Sequence, residues 1–320
     1  MKLNTDTRLL GDVGATNARF SLLQGDAITH YRAFRCDAFP TLAEAIGAYL
    51  AGLPRSTSPP TQAALAVAAP VVRDLVQLTN THWRFSIDAL RRQFEWTRLK
   101  VLNDFEANAL AVPNLSPDDI VPIGSGTAIE NAAIGVVGPG TGLGVSGLIP
   151  SADGWTPLAS EGGHVTLAPA DTRESAVLEV LRGRFGHVSA ERVLSGPGIV
   201  TLYGALCELA GQPVLPLAAS QITGRCQDGN GLAREAVNMF SAFLGTLVGN
   251  VALTLGARGG IYIMGGIVPN ILAVFRTSQF RERFEAKGRY RSYLAAIPTF
   301  VVIRPVPAFL GLMNALAKNR

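Results

Sequence analysis

Cysteine is scarce in this sequence. Cys36, Cys207 and Cys226 lie far apart, and no CxxC pair occurs. A disulfide framework is excluded and the usual thiolate ligands of a structural zinc are missing, so no zinc is expected and reduced thiols are the default. Charge is sparse too, at 16% of residues with a net charge of +4. So small a surplus is compatible with anionic ligands but demands no nucleic acid. The main basic run, Arg276, Arg281, Arg283, Lys287, Arg289 and Arg291, is interrupted by Glu282 and Glu285 and reads as a solvated helix face. Only Phe280, Phe284 and Tyr290 interleave with it, too few for a single-strand binding surface. The opening residues MKLNTDTR lack the apolar h-region of a signal peptide. Ala236 to Ala257 contains no charge, and Gly245 and Gly249 form a GxxxG within it. Its polar residues, such as Asn238, Ser241 and Asn250, and its lack of a C-terminal aromatic belt favour a buried helix over a membrane span, with glycines that permit close packing.

Glycine, by contrast, is abundant, at 34 of 320 residues, and 48% of the chain is hydrophobic. That suits an α/β enzyme large enough for two domains. Arg8 to Leu23 holds two apolar runs around a glycine turn and reads as a β-hairpin, with a third strand near Tyr31 to Arg35. Thr41 to Leu53 has helical spacing, Ala64 to Ala69 reads as a buried strand, and Ser86 is placed to cap a helix. Another strand ends at Val101-Leu102, where Asn103-Asp104 starts a helix. After a polar link from Ser116 to Asp119, the strand–glycine turn–strand theme recurs at Ala133 to Ile149. Helices follow at Glu174 to Phe185, Pro197 to Ala210 and Arg234 to Leu255. A strand at Gly260 to Met264 runs into Gly265-Gly266, and a strand at Thr299 to Arg304 precedes a C-terminal helix expected to return to the N-terminal domain. Two copies of one unit suggest two similar domains, 1–112 with 302–320 as the smaller and 113–301 as the larger.

Five constellations carry chemistry. Gly11-Asp12-Val13-Gly14-Ala15-Thr16-Asn17 can present turn amides to a phosphate, with Thr16 and Asn17 as side-chain donors and Asp12 facing a hydrated Mg²⁺. Taken alone, it is equally an ordinary glycine-rich hairpin. Gly138-Pro139-Gly140-Thr141-Gly142-Leu143-Gly144 lets several amides converge on an anion, and it matches neither a Walker A loop nor a Rossmann fingerprint. Asn103-Asp104 places a carboxylate at a helix N-terminus, where the dipole favours its ionised form, or else forms a cap with no chemistry. Glu161-Gly-Gly-His164 offers a carboxylate and an imidazole around one turn. Nothing nearby completes a metal site, and hydrogen bonding to sugar hydroxyls fits better. Glu191 precedes a Ser-Gly-Pro helix start and, alone, reads as a surface charge.

In combination, GDVGATNARF, LNDFEA, GPGTGLG, EGGH and AERVLSGPG resemble the bacterial glucokinase family, within the superfamily of hexokinase, actin and the heat-shock chaperone ATPases. The family usually carries GDVGGT, and Ala15 replaces its second glycine here. The cysteine-rich motif of zinc-containing ROK kinases is missing, as is a helix-turn-helix extension before Gly11. The resemblance implies two ribonuclease-H-like (actin-like ATPase) domains with a cleft between them. It implies Mg²⁺·ATP-dependent phosphorylation of glucose on its 6-hydroxyl, with Asp104 as general base. Asn103, Asp104, Glu161, His164 and Glu191 would hold glucose. Gly11, Asp12, Val13, Gly14, Ala15, Thr16, Gly138, Gly140, Thr141, Gly265 and Gly266 would contact ATP, with Asp12 on Mg²⁺ through water. A cytoplasmic homodimer follows from the same resemblance. The alternatives are a kinase for another hexose, a sugar sensor that lacks turnover, and a nucleotide-switched structural protein.

Overall fold

The structure, a computed structural model, describes residues 7–79, 81–152, 154–227 and 231–317. The chain divides into two compact units, Met1–Leu115 with Arg304–Arg320, and Ser116–Ile303.

In the first unit β1 (Thr7–Val13), β2 (Asn17–Gln24) and β3 (Ala27–Arg35) form an antiparallel meander. Helix α1 (Leu42–Ala51) leads to β4 (Gln62–Val67), which lies parallel to β1. A short ribbon of β5 (Leu75–Gln77) and β6 (Arg84–Ser86) and helix α2 (Ile87–Gln93) precede β7 (Arg98–Asn103), parallel to β4, and α3 (Asp104–Ala111). The sheet order is β3-β2-β1-β4-β7. The helix starts follow local chemistry: the Thr41 hydroxyl accepts from the Glu44 amide at 3.2 Å, and that of Ser86 accepts from Ala89 at 3.0 Å.

Alternation along the strands divides the apolar residues between two faces. Leu9, Phe20, Leu22, Ala63 and Leu65 pack with Leu42, Ile46 and Tyr49 of α1. Leu10, Leu23, Ala64 and Ala66 pack with Ala107 of α3 and with Phe309, Leu312 and Leu316 of the C-terminal helix, Ala308–Ala317. That helix does return to the N-terminal strands, as expected. A Cβ at Gly311 would lie 1.8 Å from the Ala107 carbonyl oxygen, so only glycine permits the crossing.

The second unit repeats the plan. It contains β8 (Ile120–Ile123), β9 (Ile134–Pro139), β10 (Leu143–Ser151), β11 (Gly154–Pro157), α4 (Thr172–Phe185), α5 (Gly196–Leu209), α6 (Ala219–Gln227) and α7 (Gly231–Leu255). It continues with β12 (Ile261–Ile263), α8 (Ile267–Asn270), α9 (Leu272–Arg276), α10 (Phe280–Glu285), α11 (Arg291–Ala295) and β13 (Thr299–Val302), so the C-terminal helix is α12. The order β11-β10-β9-β12-β13-β8 again places a meander beside two parallel strands. This is the ribonuclease-H-like pattern, built twice. β8 was not foreseen, because an edge strand of four residues containing Pro122 carries little pattern.

Helix α7, uncharged from Ala236 onward, is long and apolar enough to cross a membrane, but 72% of its most apolar window is buried. Its GxxxG receives α10: a Cβ at Gly245 would lie 2.2 Å from the Phe280 carbonyl oxygen, and one at Gly249 would lie 2.6 Å from that of Phe284. This contact corrects the reading of the basic run as a solvated face for three of its residues, Arg281, Arg283 and Lys287. Arg283 is only 11% exposed and forms a two-pronged pair with Glu174, 2% exposed, at 2.7 and 2.9 Å. Arg281 donates to the carbonyls of Ser125, Ala295 and Ile297, and Lys287 donates to Asn250 at 2.6 Å. Burial beside Arg283 holds the Lys287 ammonium below its ordinary range. These three cations are anchors where α10 packs on α7, whereas Arg276, Arg289 and Arg291 of the same run are exposed.

Candidate active site

The expected site residues fall into two groups, one in each unit. In the first, the register Val13–Val67–Asn103 aligns the ends of β1, β4 and β7. The Gly14–Thr16 turn, the loop after β4 and the start of α3 therefore share the carboxyl end of the sheet, where open α/β sheets bind ligands.

Asp12 pairs with Arg19, its cross-strand partner, at 2.8 Å. Burial pushes the Asp12 carboxyl above its ordinary value, and Arg19 pulls in the opposite direction. The sequence contained a signal for this partner, since a hairpin closing Val13 on Ala18 sets Asp12 opposite Arg19. The Gly14 amide is already engaged, donating to the Asn17 carbonyl at 3.0 Å. Among the described residues the amides of Ala15 and Thr16 have no partner, so those two are the ones a phosphate can take. Ala15 has no positive φ, and its methyl is accommodated without strain. Gly11 and Val13 serve packing: a Cβ at Gly11 would strike Leu65 at 2.5 Å, and Val13 is fully buried. Cys36, missed from the sequence, ties the turn down, its amide donating to the Thr16 carbonyl at 2.9 Å and its thiol to that of Gly14 at 3.5 Å.

Asn103 is the N-cap of α3. Its Oδ1 accepts from Phe105 at 2.8 Å and Glu106 at 3.3 Å, its amide donates to the Glu106 carboxylate, and its Nδ2 reaches the Ala69 carbonyl at 3.3 Å. The capping alternative is thus realised, which leaves one Nδ2 hydrogen for a ligand. Asp104 is the first helical residue, half-buried, and its Oδ1 accepts from the Phe105 amide at 3.0 Å. At that position the dipole favours the carboxylate form.

In the second unit three segments meet. The Gly140 amide donates to the Gly142 carbonyl at 2.8 Å, which leaves the amides of Thr141 and Gly142 without partners among the described residues. A Cβ at Gly140 or Gly266 would meet nothing within 4 Å, so packing gives no reason for either glycine and both border open space. Gly265, at φ +87°, lies close against β9, with a Cβ position 2.4 Å from the Pro139 carbonyl oxygen. Glu161 and His164 flank a 3₁₀ turn, 4.0 Å apart and both more than half exposed. Backbone bonds from Leu167 to Val188, Ala190 to Val165 and Glu191 to Gly163 run this segment antiparallel to the residues before α5. Glu191 is half-buried, and its Oε2 accepts from the Leu143 amide at 2.9 Å, so it is not the surface charge it seemed alone. Ser195, which caps α5, donates its hydroxyl to the Glu191 carbonyl at 2.8 Å.

No group of three or more His, Cys, Asp or Glu side chains that could hold a metal occurs among the described residues. One acceptor-only carboxylate, Asp12, beside free turn amides is the donor set that suits Mg²⁺ already carried by phosphates, since that ion keeps its waters and takes one or two protein carboxylates.

The family model described as Glucokinase matches residues 9–319. A bifunctional protein glk of Burkholderia pseudomallei is 49% identical over 316 residues, which cover 98% of this chain and 49% of that protein. The chain thus spans about half the length of these bifunctional relatives. A glucokinase of Nitrobacter hamburgensis is 46% identical over 314 residues, with 98% of each chain covered. The crystal structure of a glucokinase from an Antarctic psychrotroph superposes with a TM-score of 0.88 at 36% identity, covering 98% of this chain and 99% of that one.

Proposed function

This chain belongs to the glucokinase family, and from that premise we propose that it transfers the γ-phosphoryl group of Mg²⁺·ATP to the 6-hydroxyl of D-glucose, with Asp104 as general base. The register at the end of the first sheet supports the reading most. Asp104 follows β7 at the same sheet end as the Asp12–Thr16 turn, and one sheet holding both a carboxylate and free turn amides supports reading them as base and phosphate-binding groups.

In this reading the sugar oxygen bonds to the γ-phosphorus as the bridging oxygen leaves with ADP. The hydroxyl proton passes to an Asp104 oxygen late, once the new bond has formed. Asn103 donates its remaining Nδ2 hydrogen to a neighbouring hydroxyl, and Glu161, His164 and Glu191 take the others. A hexose with one hydroxyl missing or inverted leaves one of these groups unpaired, which is the physical source of selectivity. The amides of Ala15, Thr16, Thr141 and Gly142 receive phosphate oxygens, with the hydroxyls of Thr16 and Thr141 alongside, and the open space beside Gly140 and Gly266 admits nucleotide. When bound, Mg²⁺ offsets phosphate charge, and Asp12 would hold it through water. A homodimer in the cytoplasm with no structural zinc completes the reading on the strength of the family resemblance.

The test is ADP release with Mg²⁺·ATP on glucose, mannose, fructose, N-acetylglucosamine and no sugar, beside light scattering for the oligomer. Turnover favouring glucose is expected. Preference for another hexose corrects the substrate, and ATP binding without sugar-dependent turnover removes the kinase.

A further inference from the structure

Glu191 has two jobs to do with one carboxylate. Its Oε2 accepts the Leu143 amide at 2.9 Å, at the point where the Gly138–Gly144 loop rejoins β10. The same oxygen lies where a side chain on Gly142 would begin, since a Cβ there would be 2.5 Å from it. A side chain on Gly142 would therefore displace this carboxylate, whereas Gly140, two residues earlier, has open space at its Cβ position. The backbone of Glu191 is fixed independently: its amide donates to Gly163 at 2.9 Å, and its carbonyl accepts the Ser195 hydroxyl at 2.8 Å. Gly163 in turn is pressed against Leu143, with its Cβ position 2.0 Å from the Leu143 carbonyl oxygen. One residue beyond Ser195, the Gly196 amide donates to the Gly140 carbonyl at 2.8 Å. The loop is thus held at both shoulders by the segment from Glu191 to Gly196, and among the described residues Glu191 supplies the side chain of that segment that bonds the loop directly.

We propose that Glu191 is a positioning residue for the nucleotide-phosphate loop as well as a sugar ligand, using Oε2 on the loop and keeping Oε1 for the substrate hydroxyl. This rests on the reading of the loop as a phosphate site given above. A fixed loop keeps the Thr141 and Gly142 amides aimed at one anion without ordering them at the moment of binding, and preorganisation of this kind raises affinity by removing that cost. The role belongs to the oxygen, not to the charge, so a carboxamide can replace it on the loop but serves the sugar poorly.

The experiment is calorimetric titration with Mg²⁺·ADP in the absence of sugar, and separately with glucose, on the parent protein, Glu191→Ala, Glu191→Gln and Gly142→Ala. Loss of the Oε2 bond to Leu143 and of the order it imposes is expected to weaken ADP about tenfold in Glu191→Ala. Glu191→Gln keeps an acceptor for Leu143 and is expected to bind ADP within about threefold of the parent while losing about tenfold or more in glucose affinity. Gly142→Ala, which expels the carboxylate without touching its chemistry, is expected to weaken ADP as Glu191→Ala does. Parental ADP affinity in both Glu191→Ala and Gly142→Ala would overturn the proposal and leave Glu191 a sugar ligand only. Equal loss of ADP binding in Glu191→Gln and Glu191→Ala would overturn it too, since charge would then be the operative property. If Glu191→Ala does not fold, the Gln and Gly142 variants decide alone. Should the parent bind ADP but not glucose, the sugar reading fails, while the ADP comparison still decides the loop.

Discussion

The β1–β2 hairpin of the first unit and the β9–β10 hairpin of the second occupy equivalent places beside two parallel strands, yet they are held in different ways. The Gly14–Thr16 turn is tied down mainly by Cys36, with Asp12 and Arg19 paired beneath it. The Gly138–Gly144 loop is braced by Glu191, by the Gly196 amide and by the close approach of Gly265. One glycine-rich pattern therefore covers two physical solutions. In the first unit the flanking glycine Gly11 serves packing inside the sheet. In the second, Gly142 and Gly265 serve close approach by neighbouring segments, while Gly140 leaves room. Under the proposed reading both hairpins offer free amides to phosphate, and the units divide the rest, with the general base on the first and the braced loop on the second.

The most severe test of that division is Asp104→Asn. It is expected to lower kcat by about 10²–10⁴ while glucose affinity stays within a few-fold, because the carboxamide keeps the shape but accepts no proton. Near-parental turnover in a steady-state assay would move the chemistry out of the first unit. Next in size is Arg283→Ala in the second unit. It strands the Glu174 carboxylate, 2% exposed, and is expected to cost about 3–5 kcal/mol in chemical denaturation. A cost below about 1 kcal/mol would return the basic run to the surface. The hairpins themselves are compared by Thr16→Ala and Thr141→Ala. If both hydroxyls reach phosphate, each raises the KM for ATP about tenfold, the weight of one hydrogen bond to a charged group. An effect at only one of them would show that one hairpin alone grips the nucleotide.

Asp12→Asn gives the smallest effect and one of opposite sign on stability. The folded-state pKa of Asp12 lies above the ordinary 3.8, so the native state holds its proton more tightly than the unfolded chain does. The ionised carboxylate then costs stability above the folded pKa, and the cost disappears as pH falls through that pKa towards about 4. Without nucleotide, the Asn variant is expected to melt a few degrees higher than the parent at pH 7 and to lose that advantage near pH 4, while binding Mg²⁺·ATP more weakly. Identical melting at both pH values would mean that Arg19 fully offsets the burial.

Most elements of both sheets were legible because their signals are local. The hairpins, the strand expected to end at Leu102, the caps at Ser86 and Asn103, and the buried helix with its GxxxG all rest on spacing, turn residues and the alternation of apolar positions. The candidate residues were legible for a similar reason, since they cluster in short segments. What escaped were the relations between segments. Arg283 looked solvated because its partner Glu174 is 109 residues away in sequence. Asn103 looked like a ligand and proved mostly occupied as a cap. Glu191 looked like a surface charge until Leu143, 48 residues earlier, was placed against it.

By itself, then, the sequence determined the repeated strand–turn–strand plan, the helix starts and the set of polar residues available for chemistry, because backbone propensity and hydrophobic period act over a few residues. Only the tertiary structure decided which turn amides are free, which glycines admit a neighbour and which leave space, and which charges are anchors. Those outcomes depend on atoms brought within 3 Å from distant parts of the chain, and no local pattern encodes such distances.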